Sequence, residues 1–110
     1  MRICAVLAFS LWIVALAHAQ SYRPKDGYVP DSTTAVRIGE AALSPVYGKK
    51  QIESEQPFTA ILRDAVWTVS GTLSCPDGKG GATTGGCEGG VAIVQISKVD
   101  AHVISMTHGK

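Results

Sequence analysis

The feature that most restricts the fold of this chain is a change of hydrophobic period at Pro57. Between residues 32 and 47, apolar side chains such as Ala35, Ile38 and Ala42 recur every three or four positions, which is the period of an amphipathic helix. From Phe58 onward the apolar residues alternate with polar ones, as they do in half-buried strands. Helical period followed by strand period predicts an α+β fold, with helices packed on one face of an antiparallel sheet.

Two helices are predicted before this change. Asp31 and Ser32 can accept hydrogen bonds from the free amides of a first helical turn, so the first helix begins there. Pro45 lacks a backbone N–H and is expected to end or kink that helix near Ser44, with Gly48 closing the turn. A short second helix is expected over 49–55, and the carboxylates on it are expected to be solvated.

Four strands are predicted after the change. Residues 58–62 and 65–73 form a hairpin around Arg63 and Asp64, with Trp67 on the apolar face. Residues 91–98 and 102–107 form a second pair, in which Ala92, Val94, Ile96, Ile104 and Met106 are expected to point inward. The result is one or two helices on a four-stranded antiparallel meander.

The N-terminal segment 1–19 has the pattern of a cleavable secretory signal peptide. Arg2 provides the positive end, the run 3–16 is almost wholly apolar, and Ala17-His18-Ala19 is a small-x-small cleavage site. The apolar run is shorter than the roughly 20 residues that a membrane span needs, and Cys4 precedes it, so it is not a lipid-bearing cysteine. We expect cleavage before Gln20, a periplasmic or secreted protein, and no membrane association after cleavage.

The expected mature protein consists of an extended arm over 20–30 and one domain over 31–110. Loss of Arg2 takes the ten lysines and arginines to nine, equal to the nine aspartates and glutamates. A neutral chain whose only adjacent bases are Lys49 and Lys50 lacks the concentrated basic surface that nucleic acid binding requires. We therefore expect no nucleic acid partner.

Residues 74–90 contain seven glycines and no apolar period, which predicts a long flexible loop. Cys75 and Cys87 bound this loop and are the cysteines that remain after cleavage. In an oxidising compartment such a pair is typical of a disulfide, whereas the eleven intervening residues do not give the C-x-x-C spacing of a redox or metal pair. Lys79 is followed by Gly80, so the loop lacks the order of a phosphate-binding P-loop.

No residue pattern in the chain predicts catalysis, a cofactor or a metal. His102 and His108 flank the last predicted strand about 20 Å apart, too far to share one ion. The serines lie outside any G-x-S-x-G elbow. We therefore predict no catalytic, cofactor-binding or metal-ligating residues.

The assembled pattern resembles a bacterial family, the immunity proteins with a nuclear-transport-factor-2-like fold. The segments that carry the resemblance are 28–31, 35–38 with Glu40-Ala41, 46–48 with Ile52, 57–60, 67–73 and 89–98. It implies a small nuclear-transport-factor-2-like or cystatin-like domain that neutralises an antibacterial toxin by binding the toxin domain. Ala101 departs from the glycine that the last hairpin of the family usually has.

Two other functions fit parts of the pattern. The closing strands 91–98 and 103–106 also resemble the last hairpin of PepSY-like inhibitory or ligand-binding modules, and some larger proteins of the same fold are pocket enzymes. A protein partner would meet the exposed side of the first helix, where Arg37 and Glu40 lie, together with the glycine-rich loop. We therefore predict partner binding by Arg37 and Glu40.

Overall fold

The computed structural model describes residues 21–76, 82–84 and 89–110, with the side chains of 75–76 and 82–84 excluded. Its elements are α1 (Ser32–Tyr47), α2 (Lys49–Ser54), β1 (Thr59–Arg63), β2 (Val66–Ser70), β3 (Ser74–Pro76), β4 (Ala82–Thr84), β5 (Ala92–Ser97) and β6 (Val103–His108). The predicted signal peptide over 1–19 lies outside the described residues. So does the predicted disulfide, because Cys87 is not described and Cys75 is described by its backbone alone.

Helix α1 begins where the sequence predicts. Asp31 has extended backbone angles, and its Oδ1 accepts a hydrogen bond of 2.7 Å from the backbone N–H of Thr34, which satisfies one free amide of the first turn. Ala35, Gly39 and Leu43 form the buried side of the helix. Their spacing of four residues is the helical period that the sequence shows.

The end of α1 differs from the prediction, because the helix continues through Pro45 to Tyr47. A proline in the last turn removes a single backbone donor and leaves the later residues free to stay helical. Gly48 then closes the helix, since its N–H donates to the Ser44 carbonyl at 2.8 Å and its φ of 97° suits a residue without a side chain. The short helix α2 follows and buries Ile52.

The main sheet has four antiparallel strands in the order β1-β2-β5-β6, which confirms the predicted helix-on-sheet α+β architecture. The segment predicted to be a flexible loop contains the short pair β3-β4. Between β1 and β2, Asp64 and Ala65 both have positive φ, of 50° and 60°, as in the two-residue turns whose twist matches a hairpin. The turn therefore lies one residue later than predicted.

The core lies between α1 and the inner face of the sheet. Among the described residues, ten buried apolar ones form it: Val29, Ala35, Leu43, Ile52, Phe58, Trp67, Val69, Ala92, Val94 and Ile96. Gly39 brings the helix close to the sheet, since an added Cβ would lie 2.8 Å from Cγ1 of Val69. Trp67 donates from Nε1 to the Val29 carbonyl at 2.8 Å, which fixes the end of the arm against the sheet. Within the described ranges, no helix has the length and apolar character to cross a bilayer.

The inward orientation predicted for Ile104 is wrong. Gln95 pairs with Ser105 while Ile96 pairs with Val103, so Ile104 is an extra residue in a bulge. A bulge breaks the alternation of side chains, and Ile104 is 46% exposed and lies against the outer face of the sheet. Met106, beyond the bulge, packs against the core as predicted.

Candidate functional site

A buried carboxylate at the junction of α2 with the sheet is the most elaborate polar site in the described residues. Glu55 follows the last turn of α2, and its side chain is 6% exposed. Its Oε1 accepts from the backbone N–H of Ala92 at 2.6 Å, and its Oε2 accepts from Nε2 of Gln51 and Nε2 of His108, both at 3.1 Å. One side chain thus joins α2 to β5 and β6.

His108 has hydrogen-bond acceptors at both ring nitrogens. Nε2 faces the Glu55 carboxylate, and Nδ1 lies 2.6 Å from the backbone carbonyl of Gly109. A neutral imidazole carries a single N–H, whereas the protonated ring can donate to both acceptors. The Tyr47 ring packs against the imidazole with centroids 5.2 Å apart. These contacts favour the imidazolium form.

The two groups shift each other's protonation. Burial acts to raise the pKa of Glu55, but the hydrogen bonds from Ala92, Gln51 and His108 outweigh it and hold that pKa below its ordinary value of 4.5. The Gly109 carbonyl and the Glu55 carboxylate raise the pKa of His108 above its ordinary value of 6.5, against a smaller lowering by burial. The pair is therefore most completely charged between these two ordinary values.

The geometry gives this pair a structural role. Both carboxylate oxygens of Glu55 accept hydrogen bonds from the protein, and both nitrogens of His108 face acceptors, so the contacts tie α2 to β5 and β6. The sequence interpretation of Glu55 as solvated is wrong. The pair joins residues 53 positions apart in the chain, a separation that no local pattern reports.

A second histidine–carboxylate pair lies in the turn between β5 and β6. Asp100 Oδ1 is 2.5 Å from Nδ1 of His102 and also accepts from the His102 backbone N–H at 3.1 Å. The hydrogen bond with the His102 ring, and to a smaller extent the one from its backbone N–H, lower the pKa of Asp100 to about 2. Both side chains are largely exposed, and the contacts are those of a capped turn.

The structure places the two predicted partner-binding residues on the side of α1 that faces strand β1. Arg37 is exposed and lines a groove between the helix and the strand. Glu40 lies one helical turn further along, where its carboxylate accepts from Nε2 of Gln56 at 3.3 Å. The two residues form no ion pair with each other. Whether they bind a partner stays a prediction.

The described residues form two open grooves, one between α1 and β1 and one across the outer face of the sheet. The groove on the helix side has a volume of about 450 Å³ and is lined by Ser32, Thr33, Val36, Arg37, Phe58, Thr59 and Ala60. The groove on the opposite face has a volume of about 470 Å³ and is lined by Ile61, Arg63, Asp64, Val66, Thr68, Gln95 and Ile104. Sequence reasoning missed both, because each combines residues from elements whose pairing is set by the fold. The signal in the sequence that could have indicated these grooves was the apolar character of β1.

Comparison with known proteins gives two matches. The sequence profile of a family described as "NTF2 fold immunity protein" matches residues 34–110. The uncharacterized protein YhhH of Escherichia coli (strain K12) is 27% identical over 82 residues, which are 74% of this chain and 58% of that protein. The chain thus spans a little over half the length of this curated relative. No solved structure gives a significant match.

Proposed function

Because this chain belongs to the family of NTF2-fold immunity proteins, we propose that it neutralises an antibacterial toxin by binding the toxin domain. The family match over 34–110 is the observation that carries the proposal, and it covers α1 from its first turn together with the whole sheet. An immunity protein acts by occupying its toxin, so it needs a stable surface and no chemistry of its own.

The site geometry supports binding over catalysis. Glu55 and His108 use their hydrogen-bonding capacity on Ala92, Gln51 and Gly109. Both grooves are open to solvent, unlike the enclosed pocket in which an enzyme of this fold class would hold a small substrate. We infer that the surface around these grooves, including Arg37 and Glu40, contacts the toxin.

We also propose that the protein is exported and works in the periplasm or outside the cell, against a toxin that acts there. The support is the signal-peptide pattern of residues 1–19 and the pair Cys75 and Cys87. Intact mass of protein from a periplasmic fraction tests this. We expect a chain that begins at Gln20 and is two hydrogens lighter than its reduced form, and a chain that still begins at Met1 would contradict export.

The experiment that tests neutralisation combines capture with rescue of growth. Residues 20–110, immobilised through the C-terminus, serve as bait for extracts of the producing strain and related strains, and retained proteins are identified by mass spectrometry. Each is then expressed in a naive host with and without this chain. We expect a retained protein that arrests growth alone and does not do so with this chain. Failure of the chain to relieve any retained toxic protein would refute the proposal.

Charge reversal tests the proposed surface. We expect Arg37→Glu combined with Glu40→Arg to abolish rescue, because a desolvated like-charge contact costs several kcal/mol at an interface. Lys49→Glu combined with Glu53→Lys is the matched control, since it reverses an exposed ion pair of 3.7 Å on α2. If both double variants rescue growth equally, Arg37 and Glu40 do not bind the toxin. Circular dichroism confirms that each variant is folded.

A further inference from the structure

Strand β1 is at one edge of the sheet and has backbone groups directed away from it. It has one neighbour, β2, and the two-residue turn after Arg63 makes Arg63 and Val66 a hydrogen-bonded pair. Such pairs alternate with non-hydrogen-bonded ones along an antiparallel ladder, so the N–H and C=O groups of Ala60 and Leu62 point outward. Within 21–76, 82–84 and 89–110, no hydrogen bond reaches these groups.

The side chains of β1 do not protect this edge. Ile61 is 67% exposed on the outer face, and Leu62 is 43% exposed on the helix face. Natural sheets usually guard an edge with charges, proline or a bulge. The β1 register from Thr59 to Arg63 is continuous and free of bulges, and Arg63 is its one charged residue. This edge is therefore a regular template for one more strand.

The opposite edge of the sheet is a poorer template. Strand β6 carries the bulge at Ile104, which disrupts its ladder and turns the strand. Its last residue, His108, is bound to Glu55. On β6 an added strand would meet irregularly spaced backbone N–H and C=O groups, whereas on β1 the spacing of these groups is regular. The two edges thus differ in a way that favours β1.

Helix α1 lies alongside β1 and forms one side of the groove next to this edge. The groove of about 450 Å³ between them has Val36 and Arg37 on the helix side and Phe58, Thr59 and Ala60 on the strand side. Arg37 has no ion-pair partner within 4 Å among the residues that the structure describes. An edge strand with a helix alongside is the arrangement in which extended peptides bind as added strands, with alternate side chains in the groove.

We propose that an extended, acidic segment of the partner adds to β1 as a fifth strand, hydrogen-bonded to Ala60 and Leu62, with a carboxylate on Arg37. The inference rests on the proposed toxin-binding function and specifies its mode. The backbone groups of Ala60 and Leu62 supply affinity, and the unpaired Arg37 selects for negative charge. In the added segment, apolar side chains that flank the carboxylate cover Ala60 and Ile61.

A second copy of this chain fits the same edge less well. Two β1 strands joined antiparallel would place both α1 helices on the same face of the combined sheet. Arg37 is the charged residue in the groove lining of each copy, so the joined edges would bring two like charges together, which is unfavourable across an interface. An acidic segment from another protein neutralises Arg37 instead.

Amide hydrogen exchange followed by NMR tests the inference residue by residue. In the free protein, the Ala60 and Leu62 amides should exchange rapidly because no acceptor reaches them from the residues that the structure describes. Binding of the toxin domain recovered in the rescue experiment should slow both by about tenfold or more. The Met106 amide, which also points outward on β6, is the internal control and should not change. A bound toxin that leaves Ala60 and Leu62 unprotected refutes strand addition while leaving neutralisation intact.

A peptide probe tests the edge without the toxin. A capped five-residue peptide of alternating threonine and valine with a central glutamate should shift the Ala60 and Leu62 amide resonances, and its lysine counterpart should not. Equal shifts with both peptides, or none with either, overturn the proposed recognition. Slowed exchange of Ala60 and Leu62 that grows with protein concentration alone would assign the edge to a second copy and also overturn it.

Variants on the two edges complete the test. Leu62→Lys places the charge that natural edges use for protection, and we expect toxin affinity to fall by about tenfold or more. Val103→Lys is the matched control, because it changes a residue of similar exposure, 45% against 43%, on the opposite edge and outside both grooves. Equal affinity of the two variants contradicts the inference. Retained protection of the Val94 amide, which is buried in β5 opposite Val69 of β2, shows that each variant keeps its sheet.

Discussion

Among the polar side chains that the structure describes, Glu55 is the one whose replacement by alanine is expected to lower stability most. The side chain is buried and accepts three hydrogen bonds, from Ala92, Gln51 and His108. Ala92 is fully buried, so its N–H has no access to water once the carboxylate is removed. Gln51 is exposed and can find water instead. His108 is 23% exposed and is only partly compensated by solvent.

The magnitude follows from these contacts. A buried donor left without an acceptor costs about 1 to 3 kcal/mol, and a hydrogen bond to a charged group contributes about 1.5 to 3 kcal/mol. With partial compensation of His108 by water, we expect Glu55→Ala to lower the free energy of unfolding by about 3 kcal/mol. For a domain of this size the melting temperature should fall by roughly 10 to 20 °C. In a small domain of marginal stability, this is a large share of the total free energy of unfolding.

Urea unfolding followed by tryptophan fluorescence measures this change. Glu53→Ala is the matched control, because Glu53 lies two residues away on α2 and its exposed ion pair with Lys49 contributes about 0.5 kcal/mol or less. Glu55→Gln should be intermediate, since its amide oxygen can still accept from Ala92. If Glu55→Ala and Glu53→Ala unfold within about 0.5 kcal/mol of each other, the carboxylate does not clamp α2 to the sheet.

Three further predictions follow from the fold. Stability should be greatest between pH 4.5 and 6.5. The lowered pKa of Glu55 makes its contribution disappear as pH falls, and the raised pKa of His108 makes its contribution disappear as pH rises. His108→Gln should flatten the alkaline decline of stability measured by urea titration, and an unchanged decline would contradict this. Gly39→Ala should destabilise the domain by about 1 to 2 kcal/mol, since the clash with the sheet exceeds the gain in helix propensity; a higher melting temperature would show that α1 can move away. Ala101→Gly should stabilise the domain by about 1 kcal/mol, because Ala101 has a φ of 66°, and calorimetry showing a loss would contradict this.

The parts of the fold that the sequence predicted correctly depend on local chemistry. Asp31 can cap a helix wherever it precedes an apolar period, and Trp67 and Val69 lie on the buried side of β2 as their alternation indicates. Pro45 was misjudged because its cost is small in a last turn, where Ser44 can still accept from Gly48. The departure at Ala101 was visible in the sequence, but its positive φ is a property of the folded turn.

The parts that were missed depend on which distant residues meet. The bulge at Ile104 is a property of the pairing between β5 and β6, and one inserted residue reverses the face of its side chain. The groove beside Arg37 exists because α1 packs alongside the edge strand β1. Arg37 and Glu40 were predicted from their exposed side of the helix, yet only the fold shows that this side borders a free edge.

The sequence by itself determined the α+β class, the family, the helix start and the alternation of the central strands. These follow from capping, hydrophobic period and composition, which act over a few residues or add along the chain. Only the tertiary structure decided that Glu55 is buried against His108 and that Ala60 and Leu62 lie on an edge strand, where no hydrogen bond from the described residues reaches their backbone groups. The reason is physical: the energy of a charge or a backbone donor depends on the solvent and partners around it, and folding brings those from distant positions in the chain.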